Sequence, residues 1–138
     1  MSDFNTSIIE EFRANKGKLE FEGVPLILIH HIGAKSGTKR VTPVVCYPQS
    51  GGRIAIIASN GGAPSNPDWY YNLKANPEVN VEFGTETLSV AVREIEGVER
   101  ERVWTDAVGA APQLRDHQNK TTRTIPVLLL ARICSHHV

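Results

Sequence analysis

The stretch Gly33-Ala34-Lys35-Ser36-Gly37-Thr38-Lys39-Arg40 holds three cations, two hydroxyls and two glycines, and no carboxylate. That mixture suits the gripping of an anion. Lys and Arg supply charge, while glycines and short hydroxyl side chains let donors reach phosphate-like oxygens. Apolar runs, Leu26 to Ile29 before it and Val44-Val45 after it, make it a turn between two strands. On charge alone, an exposed and solvated basic hairpin is the simpler reading. A second stretch, Asn60-Gly61-Gly62-Ala63-Pro64-Ser65-Asn66-Pro67, offers different chemistry. Its glycine pair leaves room for backbone to approach a flat ligand, and a helix N-terminus follows directly.

Other chemistries fail on spacing. A phosphate loop of the GxxxxGK[ST] type needs a second glycine five residues after Gly33, and the chain has Thr38 there. Ala58-Ser59-Asn60-Gly61 is half of a nucleophile elbow, but Ile57 replaces its first glycine and Pro64 to Pro67 delay the helix. His30 and His31 are adjacent, so a strand sends them to opposite faces, a poor arrangement for one metal. Structural or solvent roles are expected of them. No other spacing of His, Cys, Asp and Glu suggests a metal site, and no GxGxxG follows the first strand.

The elements that must position these loops read as follows. Residues 1–19 form a short helix, capped by Thr6 or Ser7, with Ile8, Ile9 and Phe12 on one face and Gly17 at its end. That face can dock on the domain, cover a pocket or associate weakly with a membrane. Its polar side is not enriched in Lys and Arg, which favours docking. Strands are expected over Pro25–Ile32, Val41–Tyr47 and Arg53–Ser59, joined as an antiparallel meander. Asn66 can cap a helix with Pro67 at its first position; Trp69, Tyr70 and Leu73 give it a bulky face, and Asn76-Pro77 stops it. Strands Val79–Phe83 and Glu86–Ile95 follow, then helices over Val98–Val108 and from Pro112 to Lys120, then a last strand, Ile125–Ile133. The sum is a single-domain α+β barrel of about six mostly antiparallel strands with three to four peripheral helices.

Composition narrows the class. The chain has 138 residues, enough to bury a core without metals or disulfides. Its 15 basic and 15 acidic residues balance, which argues against a nucleic-acid protein ruled by its overall field. Cys46 and Cys134 lie in apolar runs without a CxxC partner, as buried thiols of a reducing cytosol do. No apolar run spans a membrane and no signal pattern opens the chain. A cytoplasmic protein is expected, with residues 134–138 a polar tail.

Four pieces occur in order: GAKSGTKRVTP, ASNGGAPSNPDWYYNLKANPEV, EGVERERVW and NKTTRTIPVLLL. Together they resemble the deazaflavin-dependent nitroreductase family, FMN-binding split-barrel-like oxidoreductases that use coenzyme F420. The resemblance spans roughly residues 20–133, and the second piece is its most specific part. It implies a split β-barrel that binds F420, an 8-hydroxy-5-deazaflavin with a phosphate and a polyglutamate tail. Lys35, Ser36 and Arg40 match the family's phosphate grip, and Lys39 adds a tail contact. Pro43, Ala58, Ser59, Gly61 and Gly62 match the ring-binding positions, Asn60 lies among them as a cofactor-binding candidate, and Trp69 and Asn72 match positions close to the cofactor.

The chain departs from that pattern in two ways. Ala34-Lys35 and Asn60 stand where many members carry further cations, which removes positive charge near the tail. Ala111, Leu114 and His117 stand where nitroreductase members place three tyrosines, implying a more open, less aromatic substrate pocket. His117 is the candidate proton donor in their place. The implied activity is hydride transfer from reduced F420 to a small-molecule acceptor, a quinone or activated C=C bond, with nitro compounds less favoured. The alternatives are a non-catalytic F420 carrier and an FMN-binding or haem-sequestering split barrel. A monomer or a homodimer fits equally.

Overall fold

The computed structural model describes residues 3–21 and 23–133. The chain runs α1 (Asp3–Ala14), β1 (Glu20–Phe21), β2 (Val24–Ile32), β3 (Lys39–Val45), β4 (Tyr47–Pro48) and β5 (Ile54–Ile57). It continues through α2 (Asp68–Ala75), β6 (Glu78–Phe83), β7 (Glu86–Ile95), α3 (Gly97–Ala110), α4 (Gln113–Asn119) and β8 (Val127–Arg132). The six expected strands are present, and β1 and β4 add two-residue pairings too short for any sequence pattern to reveal. Cys134 and the tail lie outside the described residues.

Every ladder is antiparallel, in the order β1-β2-β6-β7-β8-β5-β4, with β3 on the other side of β2. The β2–β3 hairpin is as expected, but the meander stops there. At Cys46 the chain changes partners: the Cys46 N–H donates to Pro25 O, and Tyr47-Pro48 then pairs with Ile54-Ala55. β3 approaches β5 without a ladder between them, and β5 pairs with β8 instead. That gap is the split in the barrel.

Alternation sets the core. Ile27 and Ile29 of β2, Ile54 and Ile56 of β5, and Leu128 and Leu130 of β8 point into the barrel, with Val81, Val90 and Leu73. Ala55, Ile57, Val127 and Leu129 point outward and are covered by Val103, Ala107 and Val108 of α3 and Leu114 of α4. β2 is apolar on both faces because α1 covers its outer side. Phe12, 1% exposed, packs on Leu26 and Leu28, with Ile8 and Ile9 beside it. The apolar face offered for a membrane is therefore spent on the barrel. A bidentate pair from Arg13 to Glu82, at 3.1 and 2.6 Å, clamps the helix, and His30 Nε2 meets Glu82 at 2.7 Å. The Arg13 hydrogen bonds, against the opposing effect of burial, hold the Glu82 carboxyl below its usual range. Among described residues no helix is long and apolar enough to cross a membrane, and no group of three or more metal-ligating side chains occurs.

Candidate functional site

The basic turn closes on itself. Gly33 N–H donates to Thr38 O and Gly37 N–H to Gly33 O, both at 2.9 Å. Ser36 Oγ, seated against Gly33 where a Cβ would collide with it, accepts from Thr38 N–H at 3.2 Å. Lys35, Ser36 and Arg40 line a cavity of about 560 Å³ with Asp68, Tyr71 and Asn72. Among the described residues Lys35, Lys39 and Arg40 form no ion pair. The exposed hairpin expected on charge alone thus becomes one wall of a concave site, with Asp68 as its single carboxylate.

A buried chain of hydrogen bonds bolts this turn to α2. Ala34 N–H donates to Asn72 Oδ1 at 2.8 Å, which fixes the amide and aims its Nδ2 at His31 Nδ1, 3.0 Å away. His31 Nδ1 must then accept, so the ring proton sits on Nε2 and meets Thr42 Oγ1 at 2.8 Å. Burial, the Arg40 charge and His30 push the His31 pKa down to about 4, so the ring is neutral at pH 7. The far end of α2 is tied by Glu94, which accepts from Tyr70 Oη at 2.7 Å and Lys74 Nζ at 2.9 Å.

The split between β3 and β5 holds a second cavity, about 520 Å³. Pro43, Val44 and Val45 bound it on one side, Ile57, Ser59 and Asn60 on another, with Trp69 from α2 and Leu114 and His117 from α4. Arg40 and Pro43 are three residues apart on β3, about 10 Å at the rise of a strand, and α2 contributes to both cavities. His117 Nδ1 is shut off from solvent with no protein partner.

Arg123 holds the loop after β5 in place. Its Nε donates to Ala63 O at 3.0 Å, Nη1 to Ala58 O at 3.2 Å and Asn66 Oδ1 at 2.6 Å, and Nη2 to Ser59 O at 2.8 Å. Asn66 is thereby removed from the capping role expected of it, and Pro67 occupies the N-cap of α2 instead. Gly62 serves packing. With φ +85°, it lies against α4 so closely that a Cβ would come within 2.8 Å of His117 O. Gly62→Ala should therefore destabilise the fold by about 2–4 kcal/mol, the sum of left-handed strain and overpacking. Urea denaturation at pH 7 measures it; a loss under ~1 kcal/mol would show that α4 yields freely.

The site therefore gathers most of the expected residues, in two groups. Lys35, Ser36, Arg40 and Asn72 meet at the first cavity; Pro43, Ser59, Asn60, Trp69, Leu114 and His117 meet at the second. Lys39 faces a third cavity, about 510 Å³, with His30, Val41 and Asn80. Ala58 is fully buried, with its carbonyl on Arg123, and the Asn60–Gly62 turn is held under α4. Ala111, expected at the substrate pocket, is instead 2% exposed in the core, because the residue that ends α3 turns inward. No α1 side chain lines the first or second cavity among the described residues, so α1 does not act as their cover. Sequence reasoning missed Arg123, and it missed that His31 and Thr42 buttress the anion turn. The only signal for Arg123 was its place in NKTTRTIP.

Residues 4–132 match the family described as F420H(2)-dependent quinone reductase. An F420H(2)-dependent quinone reductase of Mycobacterium tuberculosis is 35% identical over 111 residues, covering 78% of this chain and 74% of that protein. The solved structure of an F420-H2 dependent reductase, FDR-A, is 44% identical with a TM-score of 0.70, covering 78% of this chain and 94% of that one. Another solved structure, described as a domain-swapped dimer, is 38% identical with a TM-score of 0.72, covering 91% of this chain and 96% of that one. A match that runs nearly from end to end of the chain places it in the F420H(2)-dependent quinone reductase family.

Proposed function

We propose that the two cavities divide the work of an F420H2-dependent quinone reductase. The cationic cavity at Lys35, Ser36 and Arg40 takes the phosphate and the start of the acidic tail. The cavity in the split takes the deazaflavin ring and, beside it, the acceptor. One observation carries this reading: two cations with no ion pair among the described residues line a cavity that shares β3 and α2 with an apolar one. The residues fit the cofactor. Unpaired cations lack an anion, and Trp69, Pro43 and Leu114 supply apolar walls for a flat ring.

The bound deazaflavin supplies a hydride to an electrophilic acceptor. The protein's part is to bind, orient and keep water out. Arg40 and Lys35 anchor the charged end, and the loop held by Arg123 shapes the ring end. His117, which lines this cavity, is the candidate proton donor as the acceptor takes up charge. Quinones and activated C=C bonds suit this pocket better than nitro compounds, because no tyrosine stands at Ala111, Leu114 or His117. We infer a cytoplasmic enzyme, consistent with the free, buried Cys46, whose thiol burial pushes up to about 12. A homodimer is our preferred assembly, by analogy with the relative described as a domain-swapped dimer.

The test is a fluorescence titration with F420 and a turnover assay of reduced F420 with menadione, a coumarin and a nitroimidazole. Binding, and turnover in which the nitroimidazole is the slowest acceptor, is expected. Arg40→Ala should weaken F420 binding at least tenfold with an unchanged Tm, since Arg40 is exposed and forms no ion pair among the described residues. Unchanged affinity would remove the anion role from this turn. Binding without turnover of any acceptor would instead favour a carrier.

A further inference from the structure

We infer that Phe21 is an acceptor-contacting residue that sets the preference for flat aromatic quinones. The inference rests on the reading of the cavity in the split as the reductase site. Phe21 is 54% exposed, among the few large apolar side chains so placed, yet it lines that cavity. A lone exposed phenylalanine is unremarkable on a protein surface. One at the mouth of a cavity that also holds Trp69 and Leu114 is an unfilled contact.

The lining divides by its place in the sequence. Pro43, Ser59, Asn60 and Trp69 belong to the cofactor-matching stretches. Phe21 comes from the opposite end of the chain order, on β1, and no cofactor motif includes it. With Leu114 and His117 it supplies lining outside those motifs, which is where we seat the acceptor. Covering an exposed phenyl ring removes apolar surface from water, and an aromatic partner adds a stacking contact. A flat, uncharged, two-ring acceptor gains from both; a small, non-aromatic one gains little.

The local backbone allows the side chain to adjust. β1 is held by only two residue pairs, Glu20 with Pro25 and Phe21 with Val24. Gly23, at φ +84°, forms the turn between them. So short a ladder yields to a ligand more readily than the sheet it hangs from. Phe21 is thus an aromatic wall on a weakly held strand, while Trp69 stands on a helix.

The experiment uses the full-length protein saturated with oxidised F420, so that no turnover occurs, and measures menadione binding by calorimetry. Phe21→Ala should weaken menadione binding about tenfold, with F420 affinity and Tm unchanged. Phe21→Trp should restore it. In turnover assays with reduced F420, KM for menadione should rise by a similar factor in Phe21→Ala, and KM for unsubstituted benzoquinone by less than threefold. Unchanged menadione binding in Phe21→Ala would overturn the inference. So would an equal loss of F420 affinity, which would place the ring of Phe21 on the cofactor, or a change in oligomeric state, which would place it on a second copy. If wild-type protein binds F420 but neither binds nor reduces any acceptor, the reductase reading itself fails, an outcome distinct from these three.

Discussion

Arg123→Met should lower stability by about 3–5 kcal/mol and weaken F420 binding at least tenfold in the fraction that still folds at low temperature. The guanidinium donates to three carbonyls and one side-chain amide oxygen, all within the segment from Ala58 to Asn66. Each bond from a charged donor contributes about 1.5–3 kcal/mol net, and each buried carbonyl left bare carries its own penalty. Methionine fills much of the volume and none of the donors. The loop that shapes the ring cavity would then lose its geometry as well as its stability. Arg123→Lys should recover only part of either quantity, because one ammonium cannot reach acceptors that a planar fork reaches together. Urea denaturation and F420 titration measure the two effects separately. A methionine variant within ~1 kcal/mol of wild type would mean that water replaces the guanidinium, and the positioning role would fall.

The second large effect concerns pH. The His31 pKa is depressed to about 4 in the folded protein, against an ordinary value of about 6.5 when unfolded. Between those values the unfolded chain takes up a proton that the folded one refuses, so stability rises with pH across the window. The contribution is fully present above pH 6.5 and lost as pH falls toward 4, on the order of 3 kcal/mol in all. Burial of the ring is the main cause, with repulsion from Arg40 and His30 adding to it. Glu82 and Glu94, whose pKa values are also lowered, act lower down the scale, so the fall between pH 7 and pH 5 belongs to His31.

Asn72→Asp tests the arrangement from the other side. An aspartate can still accept from Ala34 N–H, yet it presents a charge to His31 Nδ1, 3.0 Å away. The histidine should then protonate readily, and stability should no longer fall between pH 7 and pH 5. F420 affinity should drop several-fold, because the new carboxylate lines the same cavity as Lys35 and Arg40. Wild-type stability that is flat across this range would show that His31 titrates normally and that the chain from Thr42 to Ala34 is not built as described.

Much of this site can be read along the chain because its parts are local. A carboxylate-free basic run between two apolar strands is a hairpin whatever lies elsewhere, and Lys35, Ser36 and Arg40 do come together. The strands of β2, β6 and β7 announce themselves by continuous or alternating apolar residues. What stayed hidden depends on contacts between distant residues. Arg123 finds its acceptors 57 to 65 positions away. Asn66 reads as a cap until a guanidinium claims its oxygen. The exchange of partners at Cys46 follows from sheet curvature, which no local pattern encodes, and it turned an expected meander into an open cleft. Ala111 was misplaced for a similar reason: the periodicity of α3 and α4 does not say how the bend between them faces.

The split between β3 and β5 has an evolutionary consequence. The anion end of the site stands on β2, β3 and α2, joined by ladders and by the Thr42–His31–Asn72–Ala34 chain. A change there disturbs the sheet, so selection holds it still. The end proposed for the acceptor borrows His117 from a seven-residue helix and Phe21 from a two-residue strand. Residues such as His117 and Phe21 can drift without unmaking the barrel, whereas Leu114 is held by the core. A lineage can thus keep its electron donor and exchange its acceptors, through substitutions confined to one lip of the cleft.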